Sequence, residues 1–179
     1  MDHLEPVRQK VRTAQVGKPS LPWSAKSVAA IGGLTEVGFA DDSDLLLVFS
    51  SQGRGVFDCS TGERVARDRS VENVDSWYGP HILIGIGIGP LAGKQIRLAG
   101  LNGGGLPYST TDGWSTEKLP IDWPDEYLLL LEPHSSIYQP DARFTKLAVE
   151  REVRAFGFSY TGKSLIIATS SDVTILCRA

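Results

Sequence analysis

Short apolar runs separated by polar turns fill the chain, and the best defined of them occurs twice. In Val37 to Glu63, VGFADDSDLLLVFSSQGRGVFDCSTGE, a Gly-Phe pair leads into the tight turn Asp41-Asp42-Ser43-Asp44, then an apolar run, a Ser-Ser turn and a third run. Phe156 to Cys177, FGFSYTGKSLIIATSSDVTILC, repeats that order with Tyr160-Thr161-Gly162-Lys163 as the tight turn. Gly38-Phe39 aligns with Gly157-Phe158, Leu46 with Leu165, Leu47 with Ile166, Val48 with Ile167 and Ser51 with Ser170, each pair 119 residues apart. Short β-branched and aromatic runs bounded by turn residues predict strands, so each copy reads as a three-stranded antiparallel meander. The offset leaves room for three periods of about 40 residues, which places divergent units near 75–113 and 114–150.

The rest of the pattern fills in around these copies. Leu4, Val7 and Val11 recur at helical spacing with Arg8, Lys10 and Arg12 on other faces, which predicts a short amphipathic helix between Asp2 and Val16. Such a helix lies across the domain, docks a partner or rests on a membrane surface. Lys18 to Pro22 is a Pro-punctuated linker, and Ser27 to Ile31 is strand-like. Arg64 to Arg69 reads as a fourth strand of the first unit. Pro80 to Pro90, PHILIGIGIGP, reads as a strand whose Gly face lies close against another backbone. Lys94 to Leu98 is a further strand, and Leu101 to Leu106 a flexible turn. Tyr127 to Leu131 is a continuous apolar run suited to a strand covered on both faces, and Phe144 to Val149 and Glu152 to Phe158 resume the alternation. The expected organisation is an arm over 1–18 and a single all-β domain over 19–179, built from about four antiparallel meander units.

The two copies resemble the WD-repeat β-propeller family. Val56-Phe57-Asp58-Cys59-Ser60-Thr61-Gly62-Glu63 stands where that family ends its third strand in Trp-Asp and turns through Thr-Gly, with Phe57 in place of the Trp. Ser170-Ser171-Asp172-Val173-Thr174-Ile175 matches the family's turn into the third strand. No Trp-Asp dipeptide and no Gly-His repeat start is present. The resemblance implies propeller-like units. It also implies that an N-terminal strand completes the last unit, and the residues in the 20s are the candidate; closure of that kind removes an exposed sheet edge.

Composition adds limits. With 179 residues at 41% hydrophobic the chain can bury a substantial core, and its 19 Gly and 10 Pro favour turns and strands over long helices. A formal charge of −3 without a basic stripe argues against nucleic-acid binding. Cys59 and Cys177 alone make no disulfide framework, the start MDHLEPVRQK lacks the apolar core of a signal peptide, and no apolar run is long enough to span a membrane. A cytoplasmic protein is the expectation.

Gly157-Phe158-Ser159-Tyr160-Thr161-Gly162-Lys163-Ser164 fits the spacing of a phosphate loop, but that chemistry needs a helix after the loop, and Leu165-Ile166-Ile167-Ala168-Thr169 predicts a strand. It reads as a hairpin turn. The Ile-Gly alternation of 82–88 and Gly89-Pro90-Leu91-Ala92-Gly93-Lys94-Gln95 likewise lack the helix or the spacing that nucleotide binding requires. His3, His81 and His134 stand singly, and no Gly-x-Ser-x-Gly elbow occurs, so a non-catalytic chain without metal or cofactor is expected.

One window points to a partner. Between Asp112 and Glu132 the charged residues are Asp112, Glu117, Asp122, Asp125, Glu126 and Glu132 against Lys118 alone, with Trp114 and Trp123 among them. Acidic groups supply steering and aromatics supply burial at a protein interface. Asp112, Trp114, Glu117, Asp122, Trp123, Asp125 and Glu126 are therefore the candidate protein-binding residues. The concrete expectation is a bacterial immunity or antitoxin-type protein capping a basic toxin domain. Charge reversal at Asp122, Asp125 and Glu126 should then weaken binding without loss of stability. The alternatives are a small hydrolase or lyase with a site on the loop face, and a structural fragment that self-assembles.

Overall fold

The computed structural model describes residues 4–178. The chain is mostly β. One helix, α1 (Glu5–Thr13), precedes β1 (Trp23–Ala30), β2 (Leu34–Phe39), β3 (Leu45–Ser50), β4 (Gly53–Asp58) and β5 (Glu63–Asp68). Four short strands follow, β6 (Tyr78–Gly79), β7 (Ile84–Ile86), β8 (Gln95–Arg97) and β9 (Ala99–Gly100). Then come β10 (Ser115–Asp122), β11 (Asp125–Leu131), β12 (Phe144–Glu150), β13 (Ala155–Phe158), β14 (Ser164–Ala168) and β15 (Asp172–Arg178).

The strands form four antiparallel sheets among the described residues. In chain order these are β5-β4-β3-β2-β9, β6-β7-β8, β10-β11-β12 and β1-β15-β14-β13. The second and third sheets fall inside the windows 75–113 and 114–150 that the repeat spacing leaves open. The two sequence copies are β2-β3-β4 and β13-β14-β15, and the starts of β3 and β14, at Leu45 and Ser164, keep the offset of the repeat. β1 pairs with β15 from Trp23↔Arg178 to Ala30↔Asp172, so a strand from the 20s does complete the terminal sheet.

Side chains alternate across a strand, so each sheet offers two apolar faces when both are covered. Leu46 and Val48 of β3 meet Ile166, Ala168, Val173 and Ile175 of the fourth sheet. Leu47 and Phe49, of opposite parity, meet Leu91, Ile96 and Leu98 around the second sheet. On its other face the fourth sheet packs Trp23, Phe158, Leu165 and Leu176 against Trp114 and Leu130 of the third-sheet region. The far face of the third sheet, Leu129 and Leu131, takes Val7 and Val11 of α1. These clusters connect the layers in series: second, first, fourth and third sheet, then the helix. The apolar run of β11 is buried from both sides for this reason, as its sequence predicts.

The helix therefore lies across the domain. Its C-terminal carbonyls at Val11 and Arg12 accept hydrogen bonds from the buried Lys146 of β12, and Lys10 Nζ donates to Gln139 O at 2.6 Å. No helix among the described residues is long and apolar enough to cross a membrane.

The glycines that open the two copies share one physical cause. A Cβ at Gly38 would stand 2.2 Å from Arg97 O, and one at Gly157 would stand 2.7 Å from Leu106 Cβ and from Pro107 O. In both copies another segment of chain crosses the strand at that point, and only glycine leaves room. The Ile-Gly run differs from expectation. It yields only β7, and Gly85 faces the ring of Phe49, 2.4 Å from its Cζ to a built Cβ, whereas Gly87 is the one against backbone, at Leu91 O. The phosphate-loop match is the turn between β13 and β14. Its Ser159 and Thr161 hydroxyls both donate to Asp44 Oδ1, at 2.8 Å each, tying it to the turn between β2 and β3.

Candidate functional site

Among the described residues, the hairpin of β10 and β11 carries the one exposed tryptophan. The strands pair from Ser115↔Leu131 to Leu119↔Tyr127, shift register, and meet again at Asp122↔Asp125. That shift leaves Trp123 and Pro124 at the tip, with Trp123 82% exposed. Beside it runs a groove of about 620 Å³ lined by Lys118, Trp123, Pro124 and Glu126 of the hairpin, Arg151 to Val153 of the β12–β13 connection, and Ser170.

The carboxylates on either side of Trp123 are anchored. Asp122 accepts from Arg12 Nη2 at 2.9 Å and from the Tyr127 hydroxyl at 2.7 Å. The Arg12 bond first and the Tyr127 bond second hold its carboxyl below the usual range, and the same contact pushes the Tyr127 phenol up. Asp125 accepts from Arg151 Nε at 2.6 Å, which raises the guanidinium further above its ordinary value. Glu126 pairs with Lys118 Nζ at 2.8 Å. The tip is thus an indole held out by a frame of ion pairs.

The remaining candidates fall elsewhere. Asp112 precedes β10 and Asp122 ends it, and a strand of eight residues at about 3.3 Å per residue separates the two ends by about 25 Å. Asp112 is held by Arg178 through two bonds, at 2.6 and 2.8 Å. Trp114 is 5% exposed and stands edge-on to Trp23 at 6.0 Å between centroids. It is a core residue, which corrects its assignment to a binding rim: its indole fills the contact between third and fourth sheets. Glu117 is half-buried in mid-strand opposite Leu129. The acidic run does not form one acidic surface, because Arg178, Arg12, Arg151, Lys118 and Arg143 match Asp112, Asp122, Asp125, Glu126 and Glu132 in turn.

A polar cluster that sequence reading passed over lies between the first and second sheets. Glu36 is fully buried. Tyr78 donates its hydroxyl to Glu36 Oε2 at 2.8 Å, and Asn102 donates from Nδ2 and from its main-chain N to Oε1. Burial first, and then the bond to Glu36, push the Tyr78 phenol to about 12. The signal available in sequence was one carboxylate inside an otherwise apolar strand.

No group of three or more His, Cys, Asp or Glu residues is placed to hold a metal among the described residues. His81 and His134 stand apart on surface turns, and His3 lies outside the described residues. Comparison with protein-family models, with curated proteins and with solved structures finds no match to this chain.

Proposed function

We propose that this chain is a non-catalytic protein-binding module that docks through Trp123. The observation that carries the reading is an indole left in water at a hairpin tip whose neighbours on both sides are fixed by ion pairs. Burying a large aromatic at a tip whose flanking carboxylates are already held gains hydrophobic free energy with less backbone to order, which is how interface anchors work. The groove beside it, with Lys118, Glu126, Arg151 and Glu152 on its walls, supplies a rim of both signs. The partner is a protein with an apolar pocket for the indole and a mixed-charge border. Capping of a toxin domain remains one form of this reading and keeps the Trp123 anchor, but the matched ion pairs remove net acidity as the reason for choosing a basic partner. We read the four sheets as divergent propeller-type units stacked in an open series, a reading supported by the repeat and by the β1–β15 pairing.

The test is a paired capture from the cell extract of origin with wild-type, Trp123→Ala and Trp123→Phe protein. A stoichiometric protein held by the wild type, lost with Ala and partly kept with Phe, supports the anchor. Retention of the same partner by Trp123→Ala overturns it.

A further inference from the structure

A second concavity lies beside the first, where the Gly103–Gly105 loop, β10 and the start of β13 converge. It encloses about 250 Å³, and its lining includes Gly104, Gly105, Tyr108, Thr116, Arg154 and Phe156. No Asp or Glu lines it, and Lys118 stands at its wall. Arg154 is the centre of the case. Its side chain is 22% exposed, its Nε donates to Leu34 O at 3.3 Å, and its nearest carboxylate, Glu152, stands 4.0 Å from Nη2. Among the described residues neither η-nitrogen has an acceptor at hydrogen-bonding distance. A half-buried guanidinium with most of its donors unspent is set for an anion.

The loop opposite adds donors of the same kind. Neither the Gly104 nor the Gly105 N–H has an acceptor among the described residues. Gly103 and Gly104 have φ of +111° and +76°, a region open to glycine without strain. The loop is held in that shape. Gly100 and Gly103 exchange N–H···O bonds of 2.8 and 3.1 Å, Leu101 N donates to Thr35 O at 2.9 Å, and Asn102 is pinned to buried Glu36. A Cβ at Gly104 would lie 2.2 Å from Leu98 O, so the approach of the loop to β9 requires glycine. The flexible turn expected from sequence is instead a braced one.

We propose that this pocket binds a small organic phosphomonoester. Two guanidinium nitrogens and two loop amides suit the terminal oxygens of a phosphate dianion, and Lys118, paired with Glu126 at 2.8 Å, adds a cation at the wall. Leu106, Phe156 and Tyr108 supply apolar surface for the organic part, with the Tyr108 ring 73% exposed at the mouth. The case for this site rests on Arg154 and the glycine loop and not on Trp123, although Lys118 and Val153 border both concavities.

The experiment is calorimetric titration of the full chain with phenyl phosphate, with inorganic phosphate and benzoate as comparison arms. One-to-one binding of phenyl phosphate, tighter than either comparison ligand, is expected. Arg154→Gln should weaken it by about tenfold or more, the worth of a charge-assisted bond. Gly105→Pro removes one amide donor at a position where a Cβ meets nothing within 4 Å, and should weaken binding too. Circular dichroism identifies which variants keep the native fold, and the wild-type arms decide if neither does. No binding of phenyl phosphate, equal binding of benzoate or of inorganic phosphate, or unchanged affinity in a folded variant overturns the proposal.

Discussion

Lys146 donates its ammonium to the main-chain oxygen of Val11 at 3.0 Å, from a strand to the last turn of a helix 135 residues earlier in the chain. It also donates to Arg12 O at 3.2 Å and lies over the Tyr127 ring at 5.1 Å. The final carbonyls of a helix have no partner within it, and a cation there complements the helix dipole as well. Lys146→Met keeps the stem and removes the donors. It is expected to cost about 1–3 kcal/mol, the penalty for leaving buried acceptors unpaired. Urea unfolding measures this, and limited proteolysis should cut first between α1 and β1. An unchanged midpoint would refute this role for Lys146.

Gly38→Ala and Gly157→Ala test whether the repeat marks a packing constraint. Each built Cβ meets an atom that has little freedom to move, at 2.2 Å for Gly38 and 2.7 Å for Gly157. Overpacking of this kind costs about 1–3 kcal/mol, with Gly38 at the upper end because it strikes a main-chain oxygen. Thermal melts of the two variants settle it, and a neutral Gly38→Ala would mean that the crossing segment moves aside freely.

How far the sequence shows this fold follows from what those glycines share. The continuous apolar runs of β3, β11 and β14 are written locally, so strand and two-sided burial were legible there, whereas which face meets which sheet was not. The crossing segments Arg97 and Pro107 come from outside the copies, so the presence of Gly38 and Gly157 was readable and its cause was not. The candidate site shows the same divide. Trp114 and Trp123 both sit beside turn residues in sequence, yet one faces Trp23 across a sheet contact and the other faces water. The acidic run looked unpaired because its cations, Arg12, Arg151 and Arg178, are remote in the chain.

Asp112 should give the chain a distinct acid response. Bonds from Arg178 first and from Thr110 second hold its carboxyl well below the usual range. The folded state therefore binds this proton later than the unfolded state. The stabilisation is complete above the unfolded value near pH 4 and is lost as pH falls through the lower folded value. Asp112 is 53% exposed, so solvent screens the pair and added salt should shrink the effect. Comparing wild type with Arg178→Gln, the stability gap is expected to be widest near neutral pH and to narrow in strong acid. A gap independent of pH would place the contribution of Arg178 in its stacking on Trp23, 5.0 Å away, and not in the pair.

Tyr78 should titrate late. Burial and its bond to Glu36 raise its phenol to about 12, so between the ordinary tyrosine value near 10 and that point the unfolded state loses a proton the folded state keeps. Stability falls across that alkaline window. A difference titration at the phenolate absorption band, wild type minus Tyr78→Phe, is expected to isolate one group ionising near 12. A group in the ordinary range would mean the Glu36 cluster is open to water.

Trp123 and Asp122 are neighbours in sequence with opposite consequences for stability, and that contrast decides which variant probes binding. Asp122 joins the β10–β11 tip to Arg12 of α1 and to Tyr127, so Asp122→Lys sets a cation against Arg12 and removes both bonds. It is expected to lower Tm and loosen α1, most clearly at low salt. The triple reversal at Asp122, Asp125 and Glu126 adds the loss of the Arg151 and Lys118 pairs, so a drop in affinity there would mix unfolding with recognition. Trp123 is 82% exposed and makes no side-chain hydrogen bond among the described residues. Trp123→Ala should leave stability within about 0.5 kcal/mol, as exposed substitutions away from structural contacts do. If Trp123→Ala instead melts early, the indole is part of the hairpin's own packing, and the docking role assigned to it falls with that result.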